Sequence, residues 1–161
     1  ALGAHLDVDP RNVHAYIIGE HGDSELAVWS SANVSGVPLS DFCEMRGHYD
    51  HLASEKRIAD DVKNAAYNII SKKHATYYGI AMSVRRLCTA IMRDEKHILP
   101  VSSLMVGEYG LDDICISMPT IVGRNGVECR VPVSLSNEEY AELHRSADAL
   151  KEVMSNVDFE A

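Results

Sequence analysis

The sequence is notable first for what it lacks. No apolar run approaches the ~20 residues that a helical membrane span requires; the longest are broken by Ser, His, Lys or Asp within a few positions. The four cysteines, Cys43, Cys88, Cys115 and Cys129, form no CxxC pair and none stands at zinc-finger spacing from a histidine. That pattern speaks against a disulfide scaffold or a zinc ribbon. Positive charge is short: 15 basic residues face 24 acidic ones, for a formal net charge of −9. Such a chain is poorly suited to phosphate-driven binding of DNA or RNA, although a few local cations can still hold a small anion. There is no internal repeat, no low-complexity tract and no charged or apolar leader of the signal-peptide kind. No GxGxxG follows a strand, and Gly123-Arg124-Asn125-Gly126 reads as a hairpin turn, not a phosphate loop.

What is present is an ordinary globular composition, 46% apolar and 24% charged over 161 residues. That length fits one domain and can bury a core without metal or disulfide. Cys88 and Cys129 fall on apolar stripes and read as buried thiols, which with the missing leader predicts a reducing cytoplasm. The chain begins at Ala1 without Met, and Ala1-Leu2-Gly3-Ala4-His5-Leu6 reads as the end of a helix already under way. The expectation is a single domain, residues 1–161, belonging to a longer polypeptide.

Residues 13–20 read as a mostly buried strand ending at Gly19, while 24–35 are ambiguous. Val37-Pro38-Leu39-Ser40-Asp41 reads as the entry into a short helix that runs through about Met45 and is ended by Gly47. A long one runs from Leu52 to Lys73, with Ile58, Val62, Ala65 or Ala66, and Ile69 as its apolar stripe. Another spans Thr76 to Arg93, lined by Ile80, Val84, Leu87, Cys88 and Ile91. Residues 98–106 are a strand candidate, and 113–122 with 127–133 form a hairpin. Its second arm alternates Val127, Cys129, Val131 and Val133 against Glu128, Arg130 and Pro132, predicting one buried face. Ser136 and Glu139 fit a capping box that starts a last helix, whose stripe of Leu143, Ala147, Leu150, Met154 and Val157 should dock on the sheet. Hairpins mixed with long helices make this α+β, with a mainly antiparallel sheet, and not a doubly wound βαβ sheet.

The most informative segment is Gly19-Glu20-His21-Gly22-Asp23-Ser24-Glu25. It follows a buried strand, so a histidine is presented on a loop held by a rigid element. The flanking glycines let a ligand approach, and histidine suits proton transfer near neutral pH. The bland alternative is a turn whose histidine caps a neighbour. His48-Tyr49-Asp50-His51 reads as polar turn residues before a helix, with no support for a metal site, and a zinc hydrolase is remote. Arg85, Arg86, Arg93 and Lys96 read as a solvated or subunit-facing patch.

The stretch Val13-His14-Ala15-Tyr16-Ile17-Ile18-Gly19-Glu20-His21-Gly22-Asp23-Ser24-Glu25, with Val28-Trp29-Ser30 after it, resembles the active-site segment of the L-lactate dehydrogenases, above all the bacterial form. The likeness continues through Ala75-Thr76-Tyr77-Tyr78-Gly79-Ile80-Ala81, Val101-Ser102-Ser103 and Pro119-Thr120-Ile121-Val122-Gly123. It covers essentially the whole chain but only the C-terminal, substrate-binding half of that family.

The resemblance implies hydride transfer between NADH and the carbonyl carbon of pyruvate, with His21 as the acid/base. Thr76 would line the substrate site, with capping of the following helix as its alternative role. Ile80 would lie against the nicotinamide, with ordinary core as its alternative. His14 matches the histidine that binds fructose 1,6-bisphosphate in allosteric bacterial members, with a satisfied strand histidine as its alternative. It also implies a glycolytic, fermentative homotetramer. The dinucleotide-binding Rossmann domain that holds most of the NAD, the substrate-clamping Arg, the Asp that orients the histidine and the mobile-loop Arg would all lie upstream. Asp23 is a tempting partner for His21 that the family does not use. His74 stands where a Gly commonly precedes Ala-Thr, at a position suited to a left-handed helix terminus. Glu20 and Ser24-Glu25 favour the lactate over the malate type, the near competitor. The chain alone is expected to be inactive, leaving a non-catalytic assembly module as the second reading.

Overall fold

The computed structural model describes residues 1–157. The chain runs α1 (Leu2–Leu6), β1 (Val13–Ile18), β2 (Leu26–Val34), β3 (Val37–Pro38), α2 (Leu39–Met45), α3 (His51–Lys63), α4 (Ala65–Lys73), α5 (Tyr78–Met92), β4 (His97–Val106), β5 (Asp112–Gly123), β6 (Gly126–Arg130) and α6 (Asn137–Ser155). Two three-stranded sheets, ordered β1-β2-β3 and β4-β5-β6, are antiparallel throughout. They meet where Gly19 N–H donates to the Ser117 carbonyl at 3.0 Å and Ser117 N–H returns to Gly19 at 2.9 Å. This is the α+β arrangement that the sequence predicts.

The core follows from period-two patterning. Along β5, Ile114, Ile116 and Met118 point inward and Cys115 outward, as a strand with one buried face requires. They pack with Ile18, Val28, Met105, Leu143 and Ala147 in the main core. A second cluster gathers Leu6, Ala32, Val34, Leu39 and Cys43 under α1 and α2. The ambiguous 24–35 stretch becomes β2, because its buried residues keep strand parity across a bulge.

That bulge has a structural use. Val13 and His14 pair with Val34 and Asn33, but Tyr16, Ile17 and Ile18 pair with Val28, Ala27 and Leu26, so residues 29–32 face Ala15 alone. A bulge of this kind takes backbone groups out of the ladder. Here the Trp29 and Ser30 N–H groups donate instead to Glu139 Oε1, at 2.7 and 2.9 Å. Its other oxygen accepts from Ser136 N–H at 2.8 Å and from the Ser30 hydroxyl. Burial alone would raise the Glu139 carboxyl, but the bonds from Ser30, Ser136 and Trp29 outweigh it and hold the group below its ordinary value. The predicted capping box is present, with Ser136 Oγ accepting from Glu139 N–H at 3.2 Å. One carboxylate thus starts α6 and ties it to β2.

Five expectations need correction. The long helix over 52–73 breaks at Asn64, whose side chain donates to the Asp60 carbonyl at 2.8 Å, the competition with the helical ladder that Asn offers. Of that helix's stripe only Ile58 is buried, while α4 buries no residue and α5 only Ala90. Cys88 and Cys129 are exposed, and Cys43 is the buried thiol. Cys88 lies on an exposed face of α5; β6 is an edge strand, so Val127 and Cys129 face out and only Val133 of that alternation reaches the core. The α6 stripe docks through Leu143 and Ala147, whereas Met154 and Val157 are exposed.

Candidate functional site

The loop between β1 and β2 carries His21, and its foot is fixed from two sides. The Gly19–Ser117 bridge pins it to β5. From α6, Ser146 accepts the Glu20 N–H at 2.8 Å and lies 3.2 Å from the Ser24 hydroxyl. Gly19 is required there: its φ is +98°, and a Cβ would stand 2.8 Å from Ser146 Oγ, closer than side chains tolerate in a left-handed backbone. Glu20 folds back within the loop, accepting from the Ser24 hydroxyl at 2.7 Å and its N–H at 3.2 Å.

The tip is open. The His21 side chain is 98% exposed, with Nδ1 3.8 Å from Glu25 Oε2. Asp23 does not turn to His21. Its carboxylate accepts the Tyr67 hydroxyl at 3.1 Å and its carbonyl accepts the Lys63 ammonium. The hydrogen bond to Asp23, and then its charge, push the Tyr67 hydroxyl above its ordinary value, so it stays a donor. A cleft of about 460 Å³ opens beside the loop, lined among others by Ile17, His21, Glu25, Val62, Pro100 and Ser102. Its geometry lets an imidazole exchange protons with a small molecule held against an apolar wall.

The other predicted residues lie elsewhere. Thr76, half-buried, sits between α4 and α5; Ile80 is exposed on α5, and neither lines that cleft. Tyr77 is the N-cap of α5 and no side chain caps the helix, which corrects the capping role considered for Thr76. Ile80 is likewise not core. His74 ends α4 with φ +61°, its N–H donating to Ile70 at 2.7 Å, the left-handed terminus that suits glycine. His14 is exposed on β1 opposite Asn33. The nearby Arg11 is engaged by Asp9, with contacts from 2.6 Å.

His48 stacks on His5 with ring centroids 4.8 Å apart, and His51 lies 3.6 Å from Glu44. Among the described residues no group of three or more His, Cys, Asp or Glu is gathered to hold a metal. Half of the basic patch is paired, Arg86 with Glu95 at 2.9 Å and Lys96 with Glu128 at 2.8 Å. Sequence reasoning missed Ser146, Lys63 and Tyr67. The first is 126 residues from its partner Glu20, beyond any local pattern; the other two stand four apart, a helical spacing that marks a shared face without saying what it meets.

Comparison with known proteins gives concordant findings. The profile of the lactate/malate dehydrogenase alpha/beta C-terminal domain matches residues 1–160. An L-lactate dehydrogenase of Acetivibrio thermocellus is 50% identical over 157 residues, which are 98% of this chain and 50% of that protein. L-lactate dehydrogenase 1 of Clostridium acetobutylicum is 47% identical over 156 residues, 97% of this chain and 50% of that protein. The crystal structure of a minor L-lactate dehydrogenase from Enterococcus mundtii superposes with a TM-score of 0.91 at 46% identity, over 99% of this chain and 50% of that one. The chain spans about half the length of the curated relatives it matches.

Proposed function

We infer function from one premise: the chain belongs to the lactate/malate dehydrogenase family, as its α/β C-terminal domain. We propose that it is the substrate half of an NAD-dependent L-lactate dehydrogenase interconverting pyruvate and L-lactate. The observation that carries this reading is His21, displayed at the tip of a loop whose foot is locked to β5 and α6. The relatives' names favour lactate over malate.

Most of the cofactor would be held outside these residues. Among the described residues, Ile80 offers an exposed apolar wall that fits a flat nicotinamide, and no glycine-rich turn joins a strand to a helix for a pyrophosphate. The chemistry NAD would supply when bound is donation and acceptance of the hydride. His21 Nε2, the ring nitrogen away from Glu25, gives a proton to the carbonyl oxygen as the carbon is reduced and takes it back from the hydroxyl on oxidation. Thr76 lies outside the cleft beside His21 and is assigned to the substrate on the family resemblance alone. His14, exposed on β1, would meet a phosphate of fructose 1,6-bisphosphate when protonated. The bare apolar faces of α4 and α5 suit contact with an N-terminal dinucleotide-binding domain and with sister subunits of a homotetramer. A cytoplasmic location belongs to the same proposal; among the described residues no helix is long and apolar enough to cross a membrane.

The test is His21→Asn in the two-domain enzyme, followed by pyruvate-dependent loss of NADH absorbance. kcat should fall by roughly 10²–10⁴-fold, the size of lost acid/base catalysis. An unchanged kcat removes His21 from the reaction. Residues 1–161 alone should show no turnover, because hydride transfer needs both reactants held in register.

A further inference from the structure

We propose that Lys63 and Tyr67 are positioning residues that clamp Asp23 and thereby set where His21 stands. The proposal rests on His21 being the proton-transfer residue. The foot of the loop is held by the Gly19–Ser117 bridge and by Ser146, but these bonds stop at Glu20 and Ser24. Among the described residues the His21 ring makes no hydrogen bond, and its Nδ1 lies 3.8 Å from Glu25 Oε2. Inside the tip, Gly22 N–H donates to the Glu20 carbonyl at 3.1 Å, and Glu25 N–H reaches Gly22 only at 3.4 Å. Asp23 is therefore the residue through which the tip meets the rest of the protein. Its main chain is held by the Lys63 ammonium and its carboxylate by the Tyr67 hydroxyl. Both bonds join a charged group to a polar partner and are stronger than neutral pairs.

The two clamping residues lie on different helices. Lys63 is the last residue of α3 and Tyr67 is on α4, on either side of the break at Asn64. α4 leads through His74 to Thr76 and Ile80. The clamp therefore connects the proton-transfer loop to the arm that carries the residues assigned to substrate and nicotinamide. A shift of α4 against α3 pulls on Asp23, so the two sides of the reaction keep a common alignment. Only a short displacement is needed to matter, since misplacing a reacting group by about 1 Å costs about 10²-fold in rate.

The experiment compares Tyr67→Phe, Lys63→Met and His21→Asn in the two-domain enzyme, each read by kcat, KM for pyruvate, solvent deuterium isotope effect and melting temperature. Tyr67→Phe deletes one oxygen from an exposed ring, and Lys63→Met keeps the alkyl stem. Each should lower kcat by about 10- to 100-fold and raise the solvent isotope effect as proton transfer becomes limiting, with KM for pyruvate and the melting temperature held. Asp23→Asn, which keeps an acceptor for Tyr67, should lose less than Asp23→Ala. If both clamp variants keep the parent kcat and isotope effect while His21→Asn is inactive, the clamp is wrong and His21 retains its role. If the clamp variants lose activity only in step with melting temperature, the role is structural and the proposal falls. If His21→Asn stays active, the premise goes and the clamp's catalytic role with it.

Discussion

The β5–α6 body and the α4–α5 arm carry comparable apolar stripes, yet they end in opposite surroundings. In the body Ile116 and Leu143 are fully buried, and Ile114 and Met118 are within 1% of it. On the arm Ile80 is 58% exposed and Met82 59%, beside exposed Tyr67, Ile69, Ile70, Tyr78 and Val84. Periodicity states that a face is apolar; it does not state what covers it. In the body the cover is local to this chain, because β4, β5 and β6 are consecutive hairpins and the capping box delivers α6 onto them. Among the described residues α5 meets β5 where Ala90 is buried, yet the apolar residues of α4 and of the first half of α5 stay exposed; the chain spans about half the length of the relatives it matches.

The comparison breaks or sharpens under substitution. The largest effect should come from Leu143→Ala, which opens a cavity in the main core and should lower unfolding stability by about 2–5 kcal/mol in denaturant titrations. Ile69→Ala on the arm should stay within about 0.5 kcal/mol for this chain; a loss matching Leu143→Ala would show that the arm is packed after all. Next, Glu139→Gln should cost about 1–3 kcal/mol, since it weakens an acceptor that satisfies buried N–H groups. The sign of its pH dependence follows from the carboxyl being held below its ordinary value of 4.5. The unfolded chain takes up the proton more readily, so this stabilisation is complete above that value and is lost as pH falls through the folded-state value. Thermal melts in acid should show a steeper decline for the parent than for Glu139→Gln. A small gain belongs to the arm: His74→Gly relieves a left-handed residue and should raise stability by about 0.5 kcal/mol, read as a slightly higher melting temperature.

Much of the body was legible because its signals are local. The alternation along β5, the Ser136–Glu139 cap and the His21 loop each lie within a dozen residues. The unread features join distant segments. The bulge in β2 is invisible until Glu139 arrives to take its N–H groups, and Ser146 acts on Glu20 from another helix. Cys88 and Cys129 differ from expectation for a related reason: an apolar stripe does not ensure burial where the strand is an edge or the helix face is exposed. In the candidate site, His21 can be read from its glycine-flanked pattern, while no local pattern marks Tyr67, whose partner Asp23 is 44 residues away.

The Glu139 carboxylate also has a consequence in time. Its bonds to Trp29 and Ser30 close a loop of more than a hundred residues, and long-range closures carry the greatest entropic delay. The β-hairpins and the Ser136 cap can organise before that closure, leaving the carboxylate to latch an already shaped body. Loss of the latch should then appear mainly as faster unfolding, with the folding rate little changed. The lifetime of the folded domain, more than the speed of its assembly, is what this one side chain governs.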